Sequence, residues 1–241
     1  MTKNVPDQYQ NSTISVIIPT FNEANNIVNL IQNLKEYGQN AIAEIIVVDA
    51  DSSDDTAAVA HRAGAKVLNS AEPGRAIQMN LGAKKATGDI LYFVHADTQI
   101  NPDFVADIRQ ALAENYMLGC YRYVFDSPKP ILKFNAYCTR FDRIWCRGGD
   151  QTLFVPKAIF TTLGGFKTDH RIMEDYEFIL RARKQYQFKI IPKNVVVSAR
   201  KYETNSYLRV QIANFSVFLL YFMGASQSRL VKTYKTMLNY R

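Results

Sequence analysis

Ile90-Leu91-Tyr92-Phe93-Val94-His95-Ala96-Asp97-Thr98 is a hydrophobic run that stops at a carboxylate flanked by an imidazole and a hydroxyl. Five apolar or aromatic residues preceded by Gly88-Asp89 read as a strand buried on both faces, the habit of a central strand in a parallel sheet. Ligands of such sheets bind outside the carboxyl ends of the strands. Asp97 is therefore placed to hold a metal ion and a phosphorylated substrate.

Upstream, strand and helix signals alternate with short connections, as in a parallel α/β unit. Ile14 to Ile18 reads as a first strand closed by Pro19. Ala24 to Tyr37 carries Ile27, Leu30, Ile31 and Leu34 on one helical stripe, and Gly38 is expected to stop it. Glu44 to Asp49 is a second strand ending in acid. In the cluster after it, Asp54 and Asp55 are explained as caps of a helix running to about Ala63. Lys66 to Leu68 is a third strand, Ala76 to Lys85 is helical, and Pro102 is expected at a helix start. Three strand ends thus converge: Pro19 to Glu23, Asp49 to Ser53, and His95 to Thr98.

Downstream the pattern is less regular. Cys120 to Phe125 and Gln151 to Val155 read as strands, while Gly148-Gly149 and Gly164-Gly165 mark tight turns or close backbone approach. Phe134, Tyr137, Phe141 and Trp145 could stack a sugar or base, but their helical spacing favours core packing. Glu174 to Tyr186 is expected to be a helix with Phe178, Ile179 and Ala182 inward and Arg181, Arg183 and Lys184 outward. Its first turn carries Glu174, Asp175 and Glu177, where the macrodipole favours ionised carboxylates. Ile212 to Ala225 is almost wholly apolar, yet roughly 14 residues fall short of the ~20 that span a bilayer. A packed or interfacial helix, serving dimerisation or membrane approach, is the reading.

The 241-residue chain is long enough for a self-sufficient core. Its charge of +7 favours anionic partners without choosing among nucleotides, nucleic acid and acidic membranes. Cys120, Cys138 and Cys146 form neither a zinc pattern nor an even disulfide set, and the polar N-terminus has no signal-peptide core. A cytoplasmic location is the expectation, including the inner membrane face as a peripheral site.

From the residues alone, Asp97 is a metal ligand, with Asp49 and Asp51 contributing to the same diphosphate-and-cation chemistry. His95 stands open between metal ligation, a hydrogen bond to phosphate or ribose, and a satisfied partly buried histidine. Glu174-Asp175 reads equally as helix N-terminal acid or as a catalytic pair. Arg75, after Pro73-Gly74, could grip phosphate bidentately or be a solvated surface arginine.

Ile17 to Glu23, Ile46 to Thr56, Asn80-Leu81-Gly82, His95-Ala96-Asp97 and Glu174-Asp175, taken in order, resemble the motifs of family 2 glycosyltransferases. The forms Gly74-Arg75-Ala76-Ile77-Gln78-Met79-Asn80, His95-Ala96-Asp97-Thr98 and Met173-Glu174-Asp175 further resemble a small bacterial subgroup labelled arsenosugar-biosynthesis glycosyltransferases. The resemblance implies a GT-A fold: a mixed, mostly parallel α/β sheet flanked by helices. It implies a domain over 1–205, with a nucleotide-sugar half at 1–110 and an acceptor half at 111–205, followed by a C-terminal helical extension at 206–241.

It further implies inverting transfer of a single sugar from a nucleotide-diphospho-sugar to an acceptor hydroxyl, on a lipid-linked or small molecule, with Mn²⁺ or Mg²⁺. Pro19, Thr20, Glu23, Asp49, Asp51, Arg75 and Asn80 then belong to the donor nucleotide site. Asp175 is the base, with Glu174 orienting the acceptor. Asp97 matches the last acid of a D-x-D motif whose first acid is replaced by His95, so His95 or His170 is the candidate second metal ligand. The segment 207–225 is assigned to peripheral membrane contact or a homodimer. A nucleotidyltransferase would normally carry a glycine-rich loop after its first strand, and Thr20 to Asn26 has no glycine. A non-catalytic RNA-binding protein would leave Asp97 and Glu174-Asp175 unexplained, so nucleic acid is not an expected partner.

Overall fold

The computed structural model describes residues 9–147 and 151–238. Seven strands form one sheet: β1 (Ile14–Thr20), β2 (Ile42–Asp49), β3 (Lys66–Asn69), β4 (Ile90–Phe93), β5 (Leu118–Phe125), β6 (Leu153–Pro156) and β7 (Phe188–Val197). Their order is β3-β2-β1-β4-β6-β5-β7. All run parallel except β6, which is antiparallel to both neighbours. The ends of β1, β2, β4, β5 and β7 therefore open on one edge. β4 is central and every residue of it is buried, as its composition requires.

Ten helices accompany the sheet among the described residues: α1 (Ala24–Gly38), α2 (Thr56–Arg62), α3 (Arg75–Lys85), α4 (Phe104–Ala113), α5 (Pro130–Cys138), α6 (Lys157–Thr162), α7 (Glu174–Ala182), α8 (Lys201–Thr204), α9 (Tyr207–Phe222) and α10 (Gln227–Met237). Strand alternation divides the core into two layers. Ile14, Val16, Ile18, Ile90, Tyr92 and Val94 join α1 and α4 on one face. Ile17, Leu91 and Phe93 join α3, α6 and α7 on the other. Each large side chain so buried stabilises the fold by roughly 1.5–3 kcal/mol.

Several local expectations change. Pro19 does not close β1, which continues to Thr20. Alternate residues of β1 address β2 and β4, and the pairing with β4 stops at Ile17, so the N–H that proline lacks has no ladder partner to lose. Gly38 is the last residue of α1, and a Cβ there would sit 2.3 Å from Ile42 Cδ1, so the close approach of Ile42 calls for glycine. Asp54, as expected, caps: its carboxylate accepts from the Ala24 and Thr56 backbone N–H groups, tying the starts of α1 and α2 together. Asp55 makes no side-chain cap bond. Pro102 precedes α4 by two residues.

In the second half, α7 ends at Ala182, four residues early. Arg181 turns inward to Glu177 and to the carbonyls of Leu163 and Gly165. β7 had no sequence signal strong enough to name it, because Pro192 interrupts it. The register beside β5 jumps from Ile191 to Asn194, so Pro192 and Lys193 bulge out of the ladder on an edge strand, where proline is tolerated. The aromatic residues 134–145 do not form a core: Phe134 is 63% and Trp145 66% exposed, and Leu132 is the buried residue of α5. Arg147 is buried instead, donating to the Thr139 and Phe141 carbonyls. Gly148-Gly149 lie outside the described residues.

Candidate active site

The loops after β1 and β2 are stitched together. Thr20 Oγ1 donates to Asp49 Oδ1 at 2.9 Å, and Ser52 donates to the same carboxylate through N (2.8 Å) and Oγ (2.6 Å). Asp49 is 3% exposed. With three internal donors, it holds the edge in shape and has little accepting capacity left for a ligand. Asp51 is exposed, with φ of 59°. Asn22, at φ 56°, accepts from Ser53 N through Oδ1 and donates its own backbone N–H to Ser52 Oγ.

Glu23 and Asp97 meet through a residue that sequence reading missed. Arg200, just beyond β7, hydrogen-bonds both oxygens of Glu23 and lies 3.2 Å from Asp97 Oδ2. Glu23 also accepts from Asn26 Nδ2 at 2.7 Å. One guanidinium thus spans two carboxylates from separate strand ends, and hard oxygen donors are gathered around positive charge. Glu23, like Asp49, already takes three donors, so a divalent cation at this edge would be held by Asp97, with its remaining ligands from phosphate and water. Among the described residues no group of three His, Cys, Asp or Glu is arranged to hold a metal. His170 does not join Asp97; its Nδ1 is 2.8 Å from Asp169 Oδ1 and its ring lies against Tyr221.

His95 belongs to the neighbouring cleft, lined by Pro19, Phe93, His95, Gln151, Glu174 and Asp175 among others. This places the first-strand proline, the residue after β4 and the acids of α7 around one opening. Glu174 is only 4% exposed. Burial pushes its carboxyl up to about 7, the charge of Asp175 adds to the rise, and Arg75 opposes it. The expectation that the helix dipole would set a low value is corrected: desolvation outweighs it. Asp175 is half-buried and accepts from the Tyr176 N–H. Arg75, the first residue of α3, faces Glu174 electrostatically.

Two further residues position this cleft. Gln78 is buried and donates to the carbonyls of Thr20 (2.9 Å) and Val48 (2.7 Å), fixing α3 to the ends of β1 and β2. Asn80, expected in the nucleotide site, is tied to the turn before α7. Its amide gives and takes a hydrogen bond with the Phe166 backbone, latching the turn that leads to α7. Gly165 in that turn has φ of 67°, and a Cβ on it would sit 2.7 Å from Asn80 Oδ1, so glycine is required twice over.

A mostly parallel sheet with one reversed strand, carboxylates at its carboxyl edge and an acidic pair opening a helix across the cleft define a GT-A glycosyltransferase. The chain belongs to the glycosyl transferase family 2, whose model matches residues 15–167. It is 31% identical over 187 residues to the uncharacterized glycosyltransferase Rv1514c of Mycobacterium tuberculosis, covering 70% of this chain and 68% of that one. It is 35% identical over 117 residues to the 4,4'-diaponeurosporenoate glycosyltransferase of Staphylococcus haemolyticus, covering 46% and 30%. Among solved structures, the mannosyltransferase PcManGT from Pyrobaculum calidifontis, in complex with GDP-Man and Mn²⁺, superposes with a TM-score of 0.64 at 20% identity, covering 87% of this chain and 62% of that one. Glucosyl-3-phosphoglycerate synthase from Mycobacterium tuberculosis, in complex with Mn²⁺, UDP-Glc and phosphoglyceric acid, gives 0.65 at 17%, covering 90% and 81%.

Proposed function

We propose that this chain transfers one sugar, with inversion, from a nucleotide-diphospho-sugar to an acceptor hydroxyl on a lipid-linked or small molecule. The observation that carries the reading is the single cleft shared by Pro19, His95, Glu174 and Asp175, beside the Glu23–Arg200–Asp97 cluster. Donor complexes of the fold neighbours, with GDP-Man or UDP-Glc, support the donor class.

Asp175 takes the proton from the acceptor hydroxyl as that oxygen attacks the anomeric carbon from the face opposite the leaving group. The bond from the anomeric carbon to the diphosphate oxygen breaks in the same displacement, which inverts configuration. Glu174, buried and carrying a proton to near neutrality, hydrogen-bonds and orients the acceptor without adding full negative charge beside Asp175. Thr20, Asp49 and Asp51 shape the nucleotide edge, and Arg75, at the start of α3 and within electrostatic reach of Glu174, meets phosphate. Asp97, with His95 near it, would hold Mn²⁺ or Mg²⁺, which would supply Lewis-acid neutralisation of the diphosphate.

In this reading 1–110 is the donor half, 111–205 the acceptor half and 206–241 an extension. The motif forms around Arg75, His95 and Met173 support placement beside the bacterial arsenosugar-labelled subgroup, a label that names no acceptor. Three cysteines without disulfide partners suit a cytoplasmic site. The test is a donor-hydrolysis panel of nucleotide-diphospho-sugars with Mn²⁺ or Mg²⁺. Metal-dependent release of one nucleoside diphosphate is expected. Release of pyrophosphate instead, or no turnover of any donor, overturns the proposal.

A further inference from the structure

α9 is apolar on two opposite sides. Val210, Ala213 and Val217 are buried, the first two packing with Leu238. Nearer the cleft, Phe218 lies against Tyr176 and Tyr221 against His170. Leu208, Ile212, Phe215, Leu219, Phe222 and Met223 occupy the other side, and at 3.6 residues per turn they fall within an arc of about 100°. All six are 48–71% exposed. Together they leave on the order of 600 Å² of contiguous apolar surface, at the upper limit for the largest patch of an ordinary monomer. None of the described helices is long and apolar enough to cross a membrane.

Charge chooses the occupant. From Asn205 to Met237 there is no Asp or Glu, whereas Arg209, Arg229, Lys232 and Lys235 are all exposed. The adjoining α5, joined to α9 by the hydrogen bond from Tyr207 to Asn135, adds Lys129 and Lys133 with no acid of its own. A second copy of the chain would set cationic surface against cationic surface. An anionic bilayer meets this constraint, taking the stripe into its acyl boundary and the cations at its headgroups.

We propose that α9 lies flat on an anionic lipid surface, with the stripe from Leu208 to Met223 embedded and Arg209, Lys129 and Lys133 at the headgroups. The test is flotation of the full chain with vesicles of phosphatidylcholine alone or mixed with phosphatidylglycerol. Binding to the mixed vesicles is expected, weakened by salt. Phe215→Asp and Leu219→Asp should each reduce binding at least about tenfold, and Lys129→Gln with Lys133→Gln by roughly tenfold or more. These variants lie away from the cleft, so circular dichroism and the thermal midpoint should match wild type.

A chain that fails to float with either vesicle, or stripe variants that float like wild type, overturns the proposal. So does a dimer in the ultracentrifuge that Phe215→Asp dissolves while vesicle binding is absent. Flotation lost in the stripe variants, in a chain that turns over no nucleotide-sugar, upholds the docking surface and removes only the transferase reading.

Discussion

Glu174→Gln isolates what burial does to the acidic pair. The glutamate carboxyl titrates near 4.5 in an unfolded chain and at about 7 in the fold, chiefly because it is buried and secondly because Asp175 is charged. As pH rises, the unfolded chain releases this proton first while the folded chain keeps it. Stability is therefore fully present below 4.5 and declines until pH passes about 7. At 1.36 kcal/mol per pH unit, this group removes about 3 kcal/mol across that window. Glutamine has the shape of the protonated acid and no charge to desolvate.

Urea denaturation of both proteins at a series of pH values between those limits should show the variant gaining on the wild type by about 3 kcal/mol as pH rises. The gain should saturate once the glutamate is ionised. Titrations of groups away from the pair are common to both proteins and cancel in the difference, leaving Glu174 and its coupling to Asp175. Parallel stability curves would refute the reasoning, because they would mean that Glu174 ionises in the fold as readily as in water.

Asp175→Asn should retain metal-dependent thermal protection by nucleoside diphosphate and lose transfer by about 10²-fold or more, measured as donor turnover. Arg200→Gln removes the positive charge that Glu23 and Asp97 share. Manganese binding without nucleotide, followed by calorimetry, should tighten by roughly tenfold. Asn80→Ala breaks both bonds that latch the Phe166 backbone and should cost about 2 kcal/mol in chemical denaturation. It should leave the nucleotide-induced shift in place if Asn80 acts through the turn.

The first half of the fold was legible because each element is local. β1, β2 and β4 carry unbroken apolar runs, and α1 buries the stripe its spacing drew. β7 was not legible, since Pro192 breaks its pattern and only the register jump beside β5 makes room for it. Arg200 was lost with it: the polar ending after Val195-Val196-Val197 resembles the endings after β1, β2 and β4, but only a recognised strand would have drawn attention there. Motif order found the acids of the cleft. It could not reveal that Asn80 faces Phe166, that Asp49 is filled by Thr20 and Ser52, or that burial overrides the helix dipole at Glu174. Each of these depends on what lies opposite in space. The exposed ring of Trp145 shows the same limit, because helical spacing describes a face and not what covers it.

The central claim is that Asp97 and its neighbours hold a nucleoside diphosphate through a divalent cation at the carboxyl edge of the sheet. The most direct measurement is calorimetric titration of UDP and of GDP into wild type and Asp97→Asn, each with Mn²⁺ and with chelator. Wild type should bind one of the two nucleotides strongly with Mn²⁺ and weakly without it, and Asp97→Asn should lose that difference. Metal-independent binding in wild type, or full metal dependence in the variant, would contradict the account.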